Sequence, residues 1–254
     1  MGTTAFRFRT AGCLVVLALA LTGCRAGGNE ATAGDSSPIL LFNGTGVSPG
    51  DVAALQNILH AEHLTYSMAD SQRLNRMTDS QLRGYRLLIV PGGNFEQLGG
   101  SLSSDTAAKI RNAIHDGLNY LGICAGAFFA GNSPYNGLNL TSGVRFDFYS
   151  AEAKGIRKAA VAITAPGGQT LDQYWEDGPQ LTGWGVVAGT YPNGTPAIAE
   201  GTFGKGWVIL TGVHPEAPQS WRRGMDFHTP ASVDNAYAAA LIRAALNREQ
   251  LPAH

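Results

Sequence analysis

The sequence predicts an α/β domain of parallel βαβ units with helices on both faces of the sheet, and three observations carry that expectation. Short apolar runs bounded by turn residues recur along the chain, as in Pro38-Ile-Leu-Leu-Phe42 followed by Asn-Gly. Helix-start signals stand between them: Ser48-Pro49-Gly50-Asp51 offers an N-cap, a proline at N1 and an acid in the first turn. The two kinds of segment alternate regularly, which is the pattern of a parallel sheet with crossover helices.

Taken in order, Val52, Leu55, Ile58 and Leu59 continue the first helix. Leu64 to Met68 reads as a weaker strand and Arg86 to Pro91 as a strong one. Asp105 to Asp116 reads as a helix with Ile110, Ala113 and Ile114 inward and Gly117 as its stop, and Leu118 to Ile123 as the next strand. The later half predicts strands at Val144–Tyr149, Ala159–Thr164, Gly183–Ala188, Ala197–Glu200 and Gly206–Val213, joined by Gly/Pro-rich turns. Ser232 is read as the cap of a last helix with Val233, Tyr237, Leu241 and Ala244 on one stripe.

The N-terminus is read apart from the fold. Arg7 and Arg9 precede an uncharged apolar run, Ala11 to Leu21, too short to span a bilayer as a helix. The run ends in Leu21-Thr22-Gly23-Cys24, which resembles a bacterial lipobox and implies acylation of Cys24 after removal of residues 1–23. An uncleaved anchor or an ordinary signal peptide is the alternative. Residues 24–37 are small and polar and read as a tether. Residues 38–250 then form one domain, placed in a bacterial envelope, outside the cytoplasm, and held to the membrane by the lipid.

Without residues 1–23 two basic residues are lost, leaving 16 basic against 19 acidic, or −3. That balance lacks the basic footprint of a nucleic-acid binder. Of three cysteines, Cys13 leaves with the signal and Cys24 is blocked, so Cys124 is the one free thiol and no intrachain disulfide forms. Burial as a small apolar residue is its alternative reading. The Asn-x-Thr sites at Asn43, Asn139 and Asn193 matter only in a eukaryotic secretory pathway.

Three features at strand ends point to chemistry. Cys124 follows a strand and is flanked by Gly122 and Gly126, as a sharp strand-to-helix turn requires. Such a turn presents the sulfur at the carboxyl end of the sheet, near a helix N-terminus that favours the thiolate. Val213-His214-Pro215-Glu216 ends another strand and offers a base beside an acid. Gly92-Gly93 follows a third, where backbone N–H groups can approach a substrate oxygen closely. Alone, each has a structural reading: a core thiol, a hydrogen-bonded histidine, a turn.

The pattern Gly122-x-Cys124-x-Gly126 with His214-Pro-Glu216 resembles class I glutamine amidotransferase-like domains. The string Tyr120 to Ala130, and more loosely Gly143–Phe146 and Tyr174–Pro179, is similar to the N-terminal domain of biotin–protein ligases and its free-standing bacterial relatives. The resemblance runs from Ile39 to Arg248. It implies a flavodoxin-like three-layer sandwich with a mostly parallel central sheet. It also implies Cys124 as nucleophile, His214 as base and acid, Glu216 orienting His214, and an oxyanion hole from the N–H groups of Gly93 and Ala125. Gly92, Phe128, Tyr174 and Trp175 are the pocket candidates. Phe128 stands where glutamine-using relatives carry Gln, which argues against glutamine as substrate. No synthetase or ligase domain follows, so attachment of biotin is not expected of this chain.

Neither a cofactor nor a metal is called for. His60 and His63, at i and i+3, lack a third ligand. Asp226 and His228 are read as loop residues near the site, and Trp175, Trp184 and Trp221 as core or a stacking wall. Three functions compete: a thiol amidase or hydrolase acting on a small-molecule or peptide amide, a non-catalytic ligand-binding lipoprotein, and an assembly module with Cys124 buried.

Overall fold

The computed structural model describes residues 1–2, 37–149 and 157–251. The signal segment, Cys24 and nearly all of the tether lie outside the described residues. No helix among those described is long and apolar enough to cross a membrane.

The parallel half of the domain comprises β1 (Ile39–Phe42), α1 (Pro49–Ala61), β2 (Tyr66–Ala69), α2 (Ser71–Arg76), α3 (Asp79–Arg83), β3 (Leu87–Val90), α4 (Phe95–Gly100), α5 (Ser104–Asp116), β4 (Asn119–Ile123) and α6 (Ala125–Ala130). Then come β5 (Asp147–Phe148), β6 (Lys158–Thr164), β7 (Thr170–Glu176), β8 (Pro179–Gln180), β9 (Val186–Thr190), β10 (Pro196–Phe203), β11 (Gly206–Thr211) and α7 (Ala231–Asn247). The main sheet runs β2-β1-β3-β4-β11-β10-β9-β6-β7. Its first five strands are parallel, in the flavodoxin-like order, and its last four extend it in antiparallel pairs.

Alternation along the strands builds a core on each face. Leu40, Phe42, Leu88, Val90 and Tyr120 pack with Leu82, Ile110, Ile114 and Phe129. Ile39, Leu41, Leu87, Ile89 and Leu121 pack on the other side with Leu55 and Leu59 of α1 and Leu241 and Ile242 of α7. This is the three-layer α/β sandwich expected from the sequence. Ser48 caps α1 as expected, its side chain accepting from the Asp51 N–H, and Gly117 closes α5 at φ 129°.

Several expectations shift. The Val144–Tyr149 strand shrinks to β5, paired with β8 in a separate ribbon, because a turn with Ser142 and Gly143 at positive φ ends at Val144. Gly183 and Gly185, both at positive φ, delay the next strand to Val186. The last helix starts at Ala231 after extended Pro230, so Ser232 is inside it and is not its cap; Val233 is exposed while Tyr237, Leu241 and Ala244 are buried. β7 was not anticipated, and it matters most. An isolated bridge between Tyr174 and His214 brings the end of this edge strand back to the carboxyl end of β11.

Candidate active site

The loops after β1, β3, β4 and β11 meet at the carboxyl ends of the parallel strands. Chain direction diverges between β1 and β3, where open α/β sheets leave a crevice. The loops after these two strands are stitched together: the Ser48 N–H donates to the Gly92 carbonyl at 2.9 Å and the Asn94 N–H to the Gly46 carbonyl at 2.7 Å.

Cys124 occupies the turn from β4 into α6 at φ 47°, ψ −102°, a backbone conformation that costs a non-glycine residue about 1–3 kcal/mol. Its neighbours hold it there. The Cys124 N–H donates to the Thr211 carbonyl at 2.8 Å, and its own carbonyl accepts from Ala127 at 2.9 Å. A Cβ on Gly126 would collide with the Val90 carbonyl, and one on Gly122 with the backbone of Gly126, so the flanking glycines are required by close approach. From below, the Tyr120 hydroxyl donates to the Gly126 carbonyl at 2.7 Å. The thiol is 4% exposed and donates to the Glu176 carbonyl at 3.6 Å, at the end of β7.

His214 enters from β11, its N–H bonded to the Tyr174 carbonyl at 2.8 Å. The rings of Tyr174 and Trp221 stand edge-on to the imidazole, with centroids 5.7 and 6.1 Å away. Two acids face its Nδ1: Glu216 Oε1 at 2.9 Å and Asp51 Oδ1 at 3.0 Å. All three residues are buried. Nδ1 carries one hydrogen and donates to one acid at a time. Asp51 was missed as a site residue. Its position as first-turn acid of α1 was legible, but nothing local in the sequence links that helix to His214.

Gly92 has a different role from the one expected of it. It does not line the cavity; a Cβ there would overlap both the Asp51 carboxylate and the His214 ring, so its bareness lets the two meet.

Burial disfavours charge on His214, yet the neighbouring Glu216, Asp51 and Cys124 outweigh it and hold the imidazolium well above its ordinary range. The two acids divide unequally. Burial dominates at Glu216 and raises its carboxyl, against the pull of His214. At Asp51 burial is again the largest influence, but the His214 charge, with hydrogen bonds from His214, Ser48 and Glu216, together lower it. Asp51 also sits at the N-terminus of a 13-residue helix, whose partial positive charge favours a carboxylate. Among the described residues, His214 Nε2, Glu216 Oε2 and Asp51 Oδ1 are buried without a hydrogen-bond partner, so Nδ1 bonds Glu216 and meets Asp51 as an ion pair. Asp51, His214 and Glu216 also present ligand atoms all within 4.8 Å of one another, a set able to hold a metal ion.

These residues open onto a cavity of about 610 Å³ lined by Ser48, Asp51, Gly93, Cys124, Phe128, Glu176, Asp177 and His214 among others. Gly93 lines it at φ 141°, and its N–H makes no hydrogen bond among the described residues. Ala125 is the first residue of α6, where a helix leaves its N–H unpaired. Phe128 stacks on Phe95 with centroids 4.5 Å apart and lies 4.9 Å from the Phe148 ring.

Tyr174 and Trp175 do not line the cavity. β-strand alternation turns Tyr174 against His214 and its hydroxyl onto Glu176 Oε2 at 2.5 Å, while Trp175 is core and donates to the Gly178 carbonyl at 3.3 Å. Asp226 and His228 also lie off the lining, and His228 Nδ1 faces Asp172 at 3.1 Å. His60 faces the Tyr66 hydroxyl at 3.1 Å. Trp184 packs against the core, and Trp221 backs His214.

The architecture is that of class I glutamine amidotransferases. A chain of the Thermotoga maritima PurLQS structure aligns at a TM-score of 0.56 and 14% identity, covering 84% of this chain and 99% of that one. A cytoplasmic protein of Salmonella typhimurium aligns at 0.50 and 10% identity, over 81% of this chain and 98% of its own. No curated protein matches the sequence. The family described as biotin-protein ligase, N terminal, matches residues 37–156 of this chain.

Proposed function

We propose that this chain is an exported, lipid-anchored thiol amidase or hydrolase in which Cys124 is the nucleophile and His214 the acid–base group. One observation carries the reading. Cys124 and His214 line a common cavity, and with Nδ1 turned to the two acids, the unpartnered Nε2 is the ring nitrogen left for the thiol. Asp51 and Glu216 together fix the ring's orientation and tautomer, a task assigned from sequence to Glu216 alone.

The cycle starts from a Cys124 thiolate facing the His214 imidazolium. Sulfur adds to the amide carbonyl, whose oxygen takes the negative charge beside the N–H groups of Gly93 and Ala125. The C–N bond breaks as His214 gives its proton to the departing amine, leaving a thioester. Water then adds to the thioester while His214 takes a proton, and the C–S bond breaks to release the acid and restore the thiolate. The fold supports the amidotransferase-like class, and Phe128 speaks against glutamine as the amide.

Mass spectrometry after exposure to an electrophilic ester or amide analogue is expected to find the acyl group on Cys124, and none after His214→Ala. Absence of an adduct on folded wild-type protein sinks the proposal. The competing reading, a ligand-binding lipoprotein without turnover, is favoured by the thiol's resting bond to the Glu176 carbonyl in place of Nε2. Under it, Cys124→Ser leaves function in the cell intact. Metabolic labelling with a fatty acid, lost in Cys24→Ala, tests the anchor.

A further inference from the structure

The cavity lining combines two kinds of side chain, aromatic and acidic, and their chemistry selects a substrate. Phe95, Phe128 and Phe148 form the first: Phe95 and Phe128 stack, and the Phe148 ring lies 6.2 Å from Phe95. The second holds Glu96, Glu176 and Asp177. No Lys or Arg lines the cavity among the described residues.

The acids are not equivalent. Asp51 already answers the charge on His214. Glu176 meets Lys158 Nζ at 3.3 Å and accepts the Tyr174 hydroxyl. Asp177 has only a backbone bond, its N–H to the Arg157 carbonyl at 3.2 Å, and its carboxylate has no partner among the described residues. It is half-buried at φ 45°, directly after the residue whose carbonyl receives the Cys124 thiol. The Glu96 side chain is exposed at the rim and meets the Tyr135 hydroxyl. Among the described residues the uncompensated charge in the lining is thus negative, and it shares the cavity with ring surfaces that attract cations.

Resting on the thiol-hydrolase reading of the same site, we propose that the substrate is an amide carrying an ammonium or guanidinium group near the scissile carbonyl, with an apolar or flat body. The positive group sits between Asp177 and the aromatic wall, and the body lies along Phe95, Phe128 and Phe148. A substrate with a carboxylate at that place meets Asp177, with no Lys or Arg among the described lining residues to receive it.

Two methanethiosulfonate reagents of equal reach, one bearing an aminoethyl and the other a sulfonatoethyl group, test this on the full chain. Modification is mapped to Cys124 by mass spectrometry, and rates are divided by those for a free small thiol. The cationic reagent is expected to react about tenfold or more faster, with the bias falling as salt screens the wall. Asp177→Asn, which tolerates the same backbone conformation, should remove most of the bias, and the exposed Glu96→Gln a smaller part. Equal normalised rates, a preference for the anion, or no modification of folded protein overturns the proposal. Ammonia release from benzoyl-arginine amide and benzoyl-glutamine amide forms the second arm. A charge bias at Cys124 with neither amide cleaved removes the hydrolase reading and leaves the charge selectivity standing; cleavage of the glutamine amide in preference overturns the selectivity.

Discussion

The two sides of Cys124 differ in how they are built. On one, Asp51, His214 and Glu216 are buried and locked, brought together from the start and the end of the domain. On the other, the phenylalanine wall is partly open, with Phe148 39% exposed and Phe95 half-buried. A buried group of charges tolerates no loose geometry, because every unmatched charge carries its full desolvation cost. An aromatic wall asks only for area. The first side is suited to fixing a proton's position and the second to accommodating variation in what is bound.

The sharpest break in this comparison is His214→Ala, expected to lower the acylation rate of Cys124 by about 10²–10⁴-fold, the usual worth of a positioned acid–base group. Stopped-flow acylation with an activated ester measures it, and a change under threefold would remove His214 from the chemistry. Next comes Asp51→Asn. Removing one partner of a buried charge pair costs about 3–5 kcal/mol, and the His214 ring should titrate at lower pH by NMR. Glu216→Gln should move that titration at least as far, since Glu216 weighs most among the charges that raise His214; a smaller shift would give the main electrostatic role to Asp51.

Gly92→Ala should destabilise by about 1–3 kcal/mol, as overpacking does, and slow acylation more than it weakens ligand binding. Urea denaturation beside a kinetic assay separates the two. On the open side, Phe128→Leu should change stability by less than about 1.5 kcal/mol and mainly raise KM. An equal fall in kcat would put Phe128 within the reacting group's reach.

The pH dependence has a definite sign. The His214 ring titrates in the fold above its ordinary value of 6.5, so its stabilising contribution is full below that value and is lost as pH rises through the raised one. Asp51 is lowered from 3.8, so its contribution is present above that value and is lost as pH falls. The stability difference between wild type and His214→Gln, followed by urea denaturation, should shrink as the solution turns alkaline. A difference that grows there would contradict the charge assignment.

The parallel half was legible because its signals are local. Pro38 to Phe42 and Arg86 to Pro91 are apolar runs, and Ser48, Pro49 and Gly117 punctuate them. Cys124 and the His214–Glu216 pair were legible by the same token, since each lies at a strand end within a few residues. Asp51 was not, because its partner is joined to it only by the sheet order. The same holds for Glu176 and Asp177, which reach the site through β7 and its return to β11. The short helices α2, α3 and α6 are too brief to show a period. Gly92 was read as a pocket residue, and what it lacks turned out to matter to two side chains that sequence alone does not bring near it.

The bridge from Tyr174 to His214 has a consequence for how the protein comes to be active. His214 keeps its place only once an edge strand has paired at the far side of a nine-stranded sheet and closed back, a pairing between distant parts of the chain. Contacts of that kind are slow to form. During refolding the Cys124 elbow, which needs β4, α6 and Thr211 of β11 but not β7, should assemble before His214 is seated, so thiol reactivity toward an ester reports the final step of folding, while far-UV dichroism reports the earlier ones.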